Sequence, residues 1–291
     1  MALIQIIVNS LIIGSLYALV ACGFSLIYST NKFMHFAHGI SVVIASYLFY
    51  LSLNTLKINF IISILLVLIL TGLFGIFMYK VFYGPLQKRK SSNIVLLIAS
   101  VGILILFENM IMLVFGTTVK TINSDLTKSI EFSSFIITPL QIIIIVTSLI
   151  LLLLLYLLMK KTKIGRNMRA VSDNKELASI IGIDYKKVSY YSFFIGSLLA
   201  GIAGIFIALE QTLEPTIGTN LIVKGFTGSI IGGITSVPGS ILGSYILGIA
   251  ENFGIWYLSS GYKDAIAFTL LFLFLLFKPH GILGINKGIK K

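Results

Sequence analysis

Apolar residues in this chain come in long uninterrupted runs rather than in an alternating or one-sided pattern. No Asp, Glu, Lys or Arg occurs from Ile58 to Tyr79, from Phe132 to Met159, from Val188 to Leu209 or from Gly225 to Ala250. Each run reaches or exceeds the roughly 20 helical residues that cross about 30 Å of hydrocarbon. A soluble core helix or strand keeps a solvated face over such a length, so the pattern predicts membrane-spanning helices. A β-barrel would show alternating segments of about ten residues. The many Val and Ile do not argue for sheet in lipid, where only helices and closed barrels satisfy the backbone. The expected fold class is therefore all-α: a polytopic membrane protein of eight or nine transmembrane or membrane-embedded helices, forming one domain over 1–291.

The predicted segments run from about Leu3 to Tyr28, Ile40 to Leu53, Phe60 to Tyr79, Ile94 to Phe115, Phe135 to Met159 and Val188 to Leu209. A Gly-rich stretch, Leu221 to Ile234, follows, then Ile241 to Tyr257 and Ala265 to Phe277. The Gly-rich stretch is short for a span and carries Lys224, which predicts a broken or tilted helix surrounded by protein or a cavity. Small residues recur four apart at Gly196, Ala200 and Gly204, and again at Gly239 and Gly243 with Gly248 nearby. Such seams let helix backbones approach closely. Pro238 marks a turn or a helix start.

Composition agrees: 57% of the 291 residues are hydrophobic and 11% charged, where a soluble domain is nearer a quarter charged. The formal charge of +12 points to topology rather than nucleic acid, because the basic residues sit in short loops and the tail. Lys80 to Lys90, Lys160 to Lys187 and the chain from Lys278 onward hold 16 of the 22 Lys and Arg. By the positive-inside rule these regions are cytoplasmic. The loops from Gly116 to Ser134 and from Glu210 to Thr219 then fall outside, the N-terminus outside and the C-terminus inside. The first apolar run has no charged leader and no small-residue cleavage site, so it is expected to stay. Cys22, the sole cysteine, can form neither an intrachain disulfide nor a cysteine cluster and is expected to pack.

Ionisable groups at membrane depth are costly and need protein or water around them. Glu108, Lys224 and Glu251 are such groups. Each reads either as a pathway lining or gate contact, or as an interhelix hydrogen bond; for Lys224 a snorkelling side chain is a further option. His35 and His38, in HFAHG, have no acid or cysteine beside them, and a polar turn with Gly39 permitting close approach fits better than a metal site.

One polar stretch interrupts this pattern: RAVSDNKELASIIGIDYKKV, residues 169 to 188. Ser172 or Asp173 could cap a helix there, with Glu176 three after Asp173. Leu177, Ile180 and Ile181 share a face, and Gly182 reads as a stop. The prediction is an amphipathic helix of two to three turns, lying on lipid or docking a soluble partner. The chain has no phosphate-binding loop and no hydrolytic or redox constellation, so energy from a nucleotide would have to come from another subunit.

These motifs together resemble the inner-membrane permease of the branched-chain amino-acid ABC transporters, closer to the H-type than the M-type. The resemblance rests on GSLYALVACGFSLIYSTNKFMHFAHG, YGPLQKRK, TKIGRNMRAVSDNKELASIIGIDYKKV, SFFIGSLLAGIAGIF, VKGFTGSIIGGITSVPGSILGSYILGIAENF and FKPHGILG, in family order over nearly the whole chain. It implies a multi-pass permease of the cell inner (plasma) membrane, without enzymatic activity or bound cofactor. ATP and Mg would be hydrolysed by two cytoplasmic ATP-binding-cassette subunits. A second related permease, or a second copy, and an extracytoplasmic binding protein would complete the importer. The resemblance also implies a coupling segment within 160–187, with Ala170, Asp173, Asn174, Glu176, Ala178, Gly182 and Ile183 on its surface beside the apolar Leu177. It places His38, Gly39, Gly232, Gly233 and Glu251 in motifs near the translocation pathway, beside Glu108 and Lys224. Where family members usually follow the AHG with an acid, this chain has Ile40.

The substrate class implied is a branched aliphatic amino acid, with another small amino acid, urea or a short amide open. An ion-coupled secondary transporter would need acids or broken helices near midplane, which Glu108 and Lys224 keep in view. A membrane enzyme lacks a clustered catalytic set.

Overall fold

The computed structural model describes residues 2–122, 125–132 and 135–284. Twelve α-helices appear among them: α1 (Ala2–Asn31), α2 (His38–Tyr50), α3 (Phe60–Met78), α4 (Gly84–Lys88), α5 (Asn93–Phe115), α6 (Pro139–Lys161), α7 (Lys163–Asp173), α8 (Lys175–Ile180), α9 (Tyr185–Glu210), α10 (Ile217–Gly232), α11 (Val237–Tyr257) and α12 (Lys263–Phe277). Six helical stretches are long and apolar enough to cross a membrane, and a seventh results if α10 and α11 count as one span. All nine predicted segments are helical, as α1, α2, α3, α5, α6, α9, α10, α11 and α12, and six or seven of the resulting stretches meet the length and apolarity of a full span. α2 is carried on by a π-turn over Leu51–Thr55, so helix continues from His38 to Thr55. α10 and α11 are bent by 115° at their junction, so the Gly-rich stretch is the broken element the sequence predicts.

Two boundaries differ from expectation for local reasons. The basic stretch after Tyr79 is not a loop at first: a π-turn over Tyr79–Tyr83 joins α3 to α4, so helix continues from Phe60 to Lys88. Pro85 is accommodated because it stands in the first turn after that π-turn. The fifth segment starts at Pro139 rather than Phe135. Thr138 and Gln141 form a reciprocal capping box, and the residues before it form a small antiparallel hairpin. There β1 (Ile130–Phe132) pairs with β2 (Phe135–Ile137), Ile130 opposite Ile137.

α1 is the hub. It packs on α9, α10 and α11 and, more lightly, on α6, while α2 and α3 pack on the other side of α9. Its central residues, among them Leu16, Leu19, Cys22, Phe24 and Leu26, are buried; Cys22 is the small packing residue expected. α3, α5, α6 and α12 turn large apolar side chains outward, Ile69, Leu113, Leu153 and Phe272 among them. In a membrane these faces meet lipid rather than water.

The glycine seams are real contacts. A Cβ on Gly243 would collide with the Gly228 carbonyl oxygen, and one on Gly232 with that of Gly239. α10 and α11 therefore touch backbone to backbone. Gly204 meets the Val42 carbonyl in the same way, and Ser46 Oγ donates to the Gly204 carbonyl at 2.8 Å. Gly233 ends α10 with φ +117°, a conformation that only glycine adopts without strain. The segment after α12 then docks there: Ile282 N–H donates to the Ile231 carbonyl at 2.9 Å and Leu283 N–H to that of Gly232 at 2.8 Å. Helix ends leave such carbonyls without intrahelical partners, and here a distant strand of chain supplies them. The rest of the basic tail, with Lys287, Lys290 and Lys291, lies outside the described residues, as does the Ser134 end of the hairpin loop.

Candidate functional site: a surface coupling segment and a buried ionic cluster

The polar stretch folds as two helices, not one. Thr162 caps α7 by accepting from Gly165 N–H at 3.1 Å. α7 lays Gly165, Met168 and Val171 inward, and a Cβ on Gly165 would run into the Leu158 and Met159 carbonyls of α6. Ser172 and Asp173, expected to cap the helix, instead finish α7. Asn174 is the cap. Its backbone is extended, and its side-chain oxygen accepts from Glu176 and Leu177 N–H, both at 3.0 Å. The reason lies upstream: a helix already started at Thr162 runs through Asp173, and Asn174 breaks it by offering its own side chain to the next turn.

α8 closes as tightly as it opens. Ile183 N–H donates to the Ala178 carbonyl at 2.9 Å and Gly182 N–H to that of Ser179 at 3.1 Å. That pair is a Schellman closure, with Gly182 at φ +86°. Ala178 faces inward and Ile183 is half-buried, while Asp173, Asn174, Glu176 and Gly182 are exposed and Ala170 is half-buried. Leu177, Ile180 and Ile181 are 59%, 79% and 73% exposed. These apolar side chains protrude among the exposed polar residues Asp173, Asn174, Lys175, Glu176 and Ser179. Lys175 Nζ sits 3.9 Å from the Tyr185 ring centroid, and partial burial lowers its pKa below the ordinary lysine value. Asp184 then caps α9, accepting from Lys186 N–H at 2.9 Å.

Within the helical body the structure joins two residues that the sequence offered separately. Lys224 Nζ of α10 lies 2.6 Å from Glu251 Oε1 of α11 and 2.9 Å from Asp264 Oδ1 of α12. Tyr17 of α1 donates through its hydroxyl to Glu251 Oε2 at 2.9 Å. Glu251 is wholly buried and Lys224 nearly so. The interhelix bond that the sequence leaves open for Lys224 and Glu251 is present. Tyr17 and Asp264 were missed. Tyr17 sits in an apolar run where an aromatic reads as packing, and Asp264 reads as a helix-start acid.

Glu108 stands apart from this cluster. Thr219 Oγ1 of α10 donates to it at 3.2 Å, tying α5 to α10, and Glu108 is 8% exposed. His38 is wholly buried, its Nε2 occupying the space a Cβ on Gly23 would need. His35 Nδ1 lies 2.9 Å from the Tyr83 hydroxyl. Gly39 does permit a close approach: a Cβ there would strike the Gly218 carbonyl oxygen of α10. Gly232 and Gly233 sit at the α10 end described above. Ile40, the residue that follows the AHG, is wholly buried in the core. Among the described residues no three of His, Cys, Asp and Glu come together as metal ligands would.

A family model described as branched-chain amino acid transport system / permease component matches residues 6–275. The chain is 33% identical to the high-affinity branched-chain amino acid transport system permease protein BraD of Pseudomonas aeruginosa, over 97% of this chain and 95% of that protein. It is 32% identical to the permease protein LivH of the corresponding system of Escherichia coli strain K12, with the same coverage. A probable LivH of Methanocaldococcus jannaschii is 30% identical over 99% of this chain and 95% of that protein. Among solved structures, PsaBC from Streptococcus pneumoniae in complex with Fab aligns with a TM-score of 0.51 at 16% identity, covering 94% of this chain and 91% of that one; at that identity the likeness concerns the fold. The match over residues 6–275 and the near full-length relatives put this chain in the family of branched-chain amino acid transport system permease components.

Proposed function

We propose that this chain is the permease subunit of an ATP-driven importer that carries branched-chain aliphatic amino acids inward by alternating access. Its partners are two cytoplasmic ATP-binding-cassette subunits, a second permease or a second copy of this chain, and an extracytoplasmic substrate-binding protein. The observation that carries the reading is the exposed triad of Leu177 and Ile180 on α8 and Ile181 at its C-cap. Exposed apolar clusters rimmed by polar residues mark protein contact sites, and α8 is fastened at both ends by the Asn174 cap and the Gly182 closure. A short helix held so firmly moves as a body. When the ATPases close, they push α8, and α6 and α9, joined to it through α7 and Asp184, tilt with it.

In this reading the segment within 160–187 is the coupling surface. Glu108 with Thr219 is the polar contact between α5 and α10 that a gate uses. Lys224, Glu251, His38, Gly39, Gly232 and Gly233 hold the α2 and α10–α11 elements in register beside the pathway. Basic residues of 80–90 and 160–187 put those segments on the cytoplasmic side, with the N-terminus outside.

The test is reconstitution of the complex in vesicles with leucine uptake and ATP hydrolysis measured together. Ile180→Asp is expected to abolish uptake and ATPase co-purification while leaving the thermal unfolding of the permease unchanged, since Ile180 touches little of its own chain. Full leucine uptake by I180D, or uptake driven by an ion gradient with no ATPase present, would overturn the proposal.

A further inference from the structure

Where α1 and α6 end, beside α7 and the start of α11, lies a cavity of about 860 Å³. Its lining includes Lys32, Lys160, Arg169 and His280, against Asp173 as the acid. The α8 triad takes no part in it, although Lys160, Arg169, Ser172 and Asp173 of the coupling segment line its wall. Lys160 Nζ donates to the Tyr156 hydroxyl at 3.2 Å and lies 5.5 Å from that ring's centroid. Arg169 donates to the Lys160 carbonyl at 3.4 Å. A guanidinium carries five donors in a planar fork suited to phosphate.

A second observation says what kind of anion belongs there. Leu149, Leu153, Tyr156 and Lys160 fall at i, i+4, i+7 and i+11 along α6, which places them on one helix face. Leu149, Leu153 and Tyr156 are all exposed. The face therefore runs from bare leucines, through an amphipathic tyrosine, to a cation at the cavity. Tyrosine at such a position marks the membrane–water boundary. A free phosphate would use the cations alone; an amphiphile uses the whole stripe.

We propose that the cavity binds the phosphodiester headgroup of an anionic phospholipid, with Lys160 and Arg169 on the phosphate and an acyl chain along Leu153 and Leu149. Basic pockets between membrane helices on the cytoplasmic side are known to take such headgroups. The volume lies within the range of small-molecule sites, about 300–1,000 Å³. A choline headgroup would bring its own cation against Lys160 and Arg169, so phosphatidylcholine fits less well.

The experiment is lipid titration of the delipidated full-length chain in detergent, read by native mass spectrometry. The probes are dioleoylphosphatidylglycerol, dioleoylphosphatidylcholine and glycerol 3-phosphate. Phosphatidylglycerol is expected to remain bound in preference to phosphatidylcholine, and millimolar glycerol 3-phosphate not to displace it. K160Q/R169Q should weaken phosphatidylglycerol binding by roughly thirtyfold, from the loss of two surface cations. The single Arg169→Gln should weaken binding about fivefold and serves as the test if the double variant does not fold, while the charge-keeping Arg169→Lys should retain most of it. Lys163→Gln, outside the cavity, should leave binding unchanged. Equal retention of the two lipids, undiminished binding by K160Q/R169Q or R169Q, or displacement by glycerol 3-phosphate would overturn the proposal, the last by identifying a soluble phosphoester as the ligand.

Discussion

Lys224 shows how much a single residue can depend on neighbours far away in sequence. Its ammonium is held by Glu251 and Asp264, and Glu251 in turn by Tyr17. Removing one member of a buried ion pair costs about 3–5 kcal/mol, because the other charge is stranded, whereas removing both often costs little. Lys224→Met should therefore lower the thermal midpoint of the detergent-solubilised protein sharply, and K224M/E251Q should restore more than half of the loss. Equal destabilisation by the single and double variants would mean that the pair is not coupled. Asn174 makes a second prediction of this kind. Asn174→Ala removes an N-cap worth about 0.5–2 kcal/mol, loosens α8 and should reduce leucine uptake in vesicles, while Asn174→Asp should retain it. At this scale the sequence exposed the unusual residues, because a charge inside an apolar run stands out. It did not expose their pairing, which depends on where α10, α11 and α12 come to lie.

At the scale of elements, hydrophobic run length was enough to place most of the helices. The failures were local and chemical. The Thr138–Gln141 capping box moved the start of α6, a π-turn carried helix into the basic stretch after Tyr79, and the Thr162 cap started α7 early enough to displace the expected cap to Asn174. Run length is blind to all three. The glycine seams were legible as spacing but not as partners. They make a sharp contrast: Gly243→Ala forces a methyl into the Gly228 carbonyl and should disrupt the α10–α11 crossing, whereas nothing lies within 4 Å of a Cβ on Gly102 in α5. Gly102→Ala should leave stability unchanged or raise it by up to about 1 kcal/mol, from reduced backbone entropy. Paired unfolding curves of the two variants check this.

For the whole molecule the open quantity is orientation, and the buried cysteine makes it measurable. Cys22 is fully enclosed, so a membrane-impermeant thiol reagent should barely label the parent chain. Ser179→Cys on α8 should label only in inside-out vesicles, and labelling in intact cells would reverse the proposed topology. The docking of Ile282 and Leu283 onto the end of α10 carries a practical consequence for the same experiments. A tag or fluorescent fusion spliced directly after Phe277 would strip the lid from two buried carbonyls and open the corner at Gly233. Placed beyond Lys291, the same tag leaves that corner closed, so a loss of transport in the first design alone would report on the corner rather than on the tag.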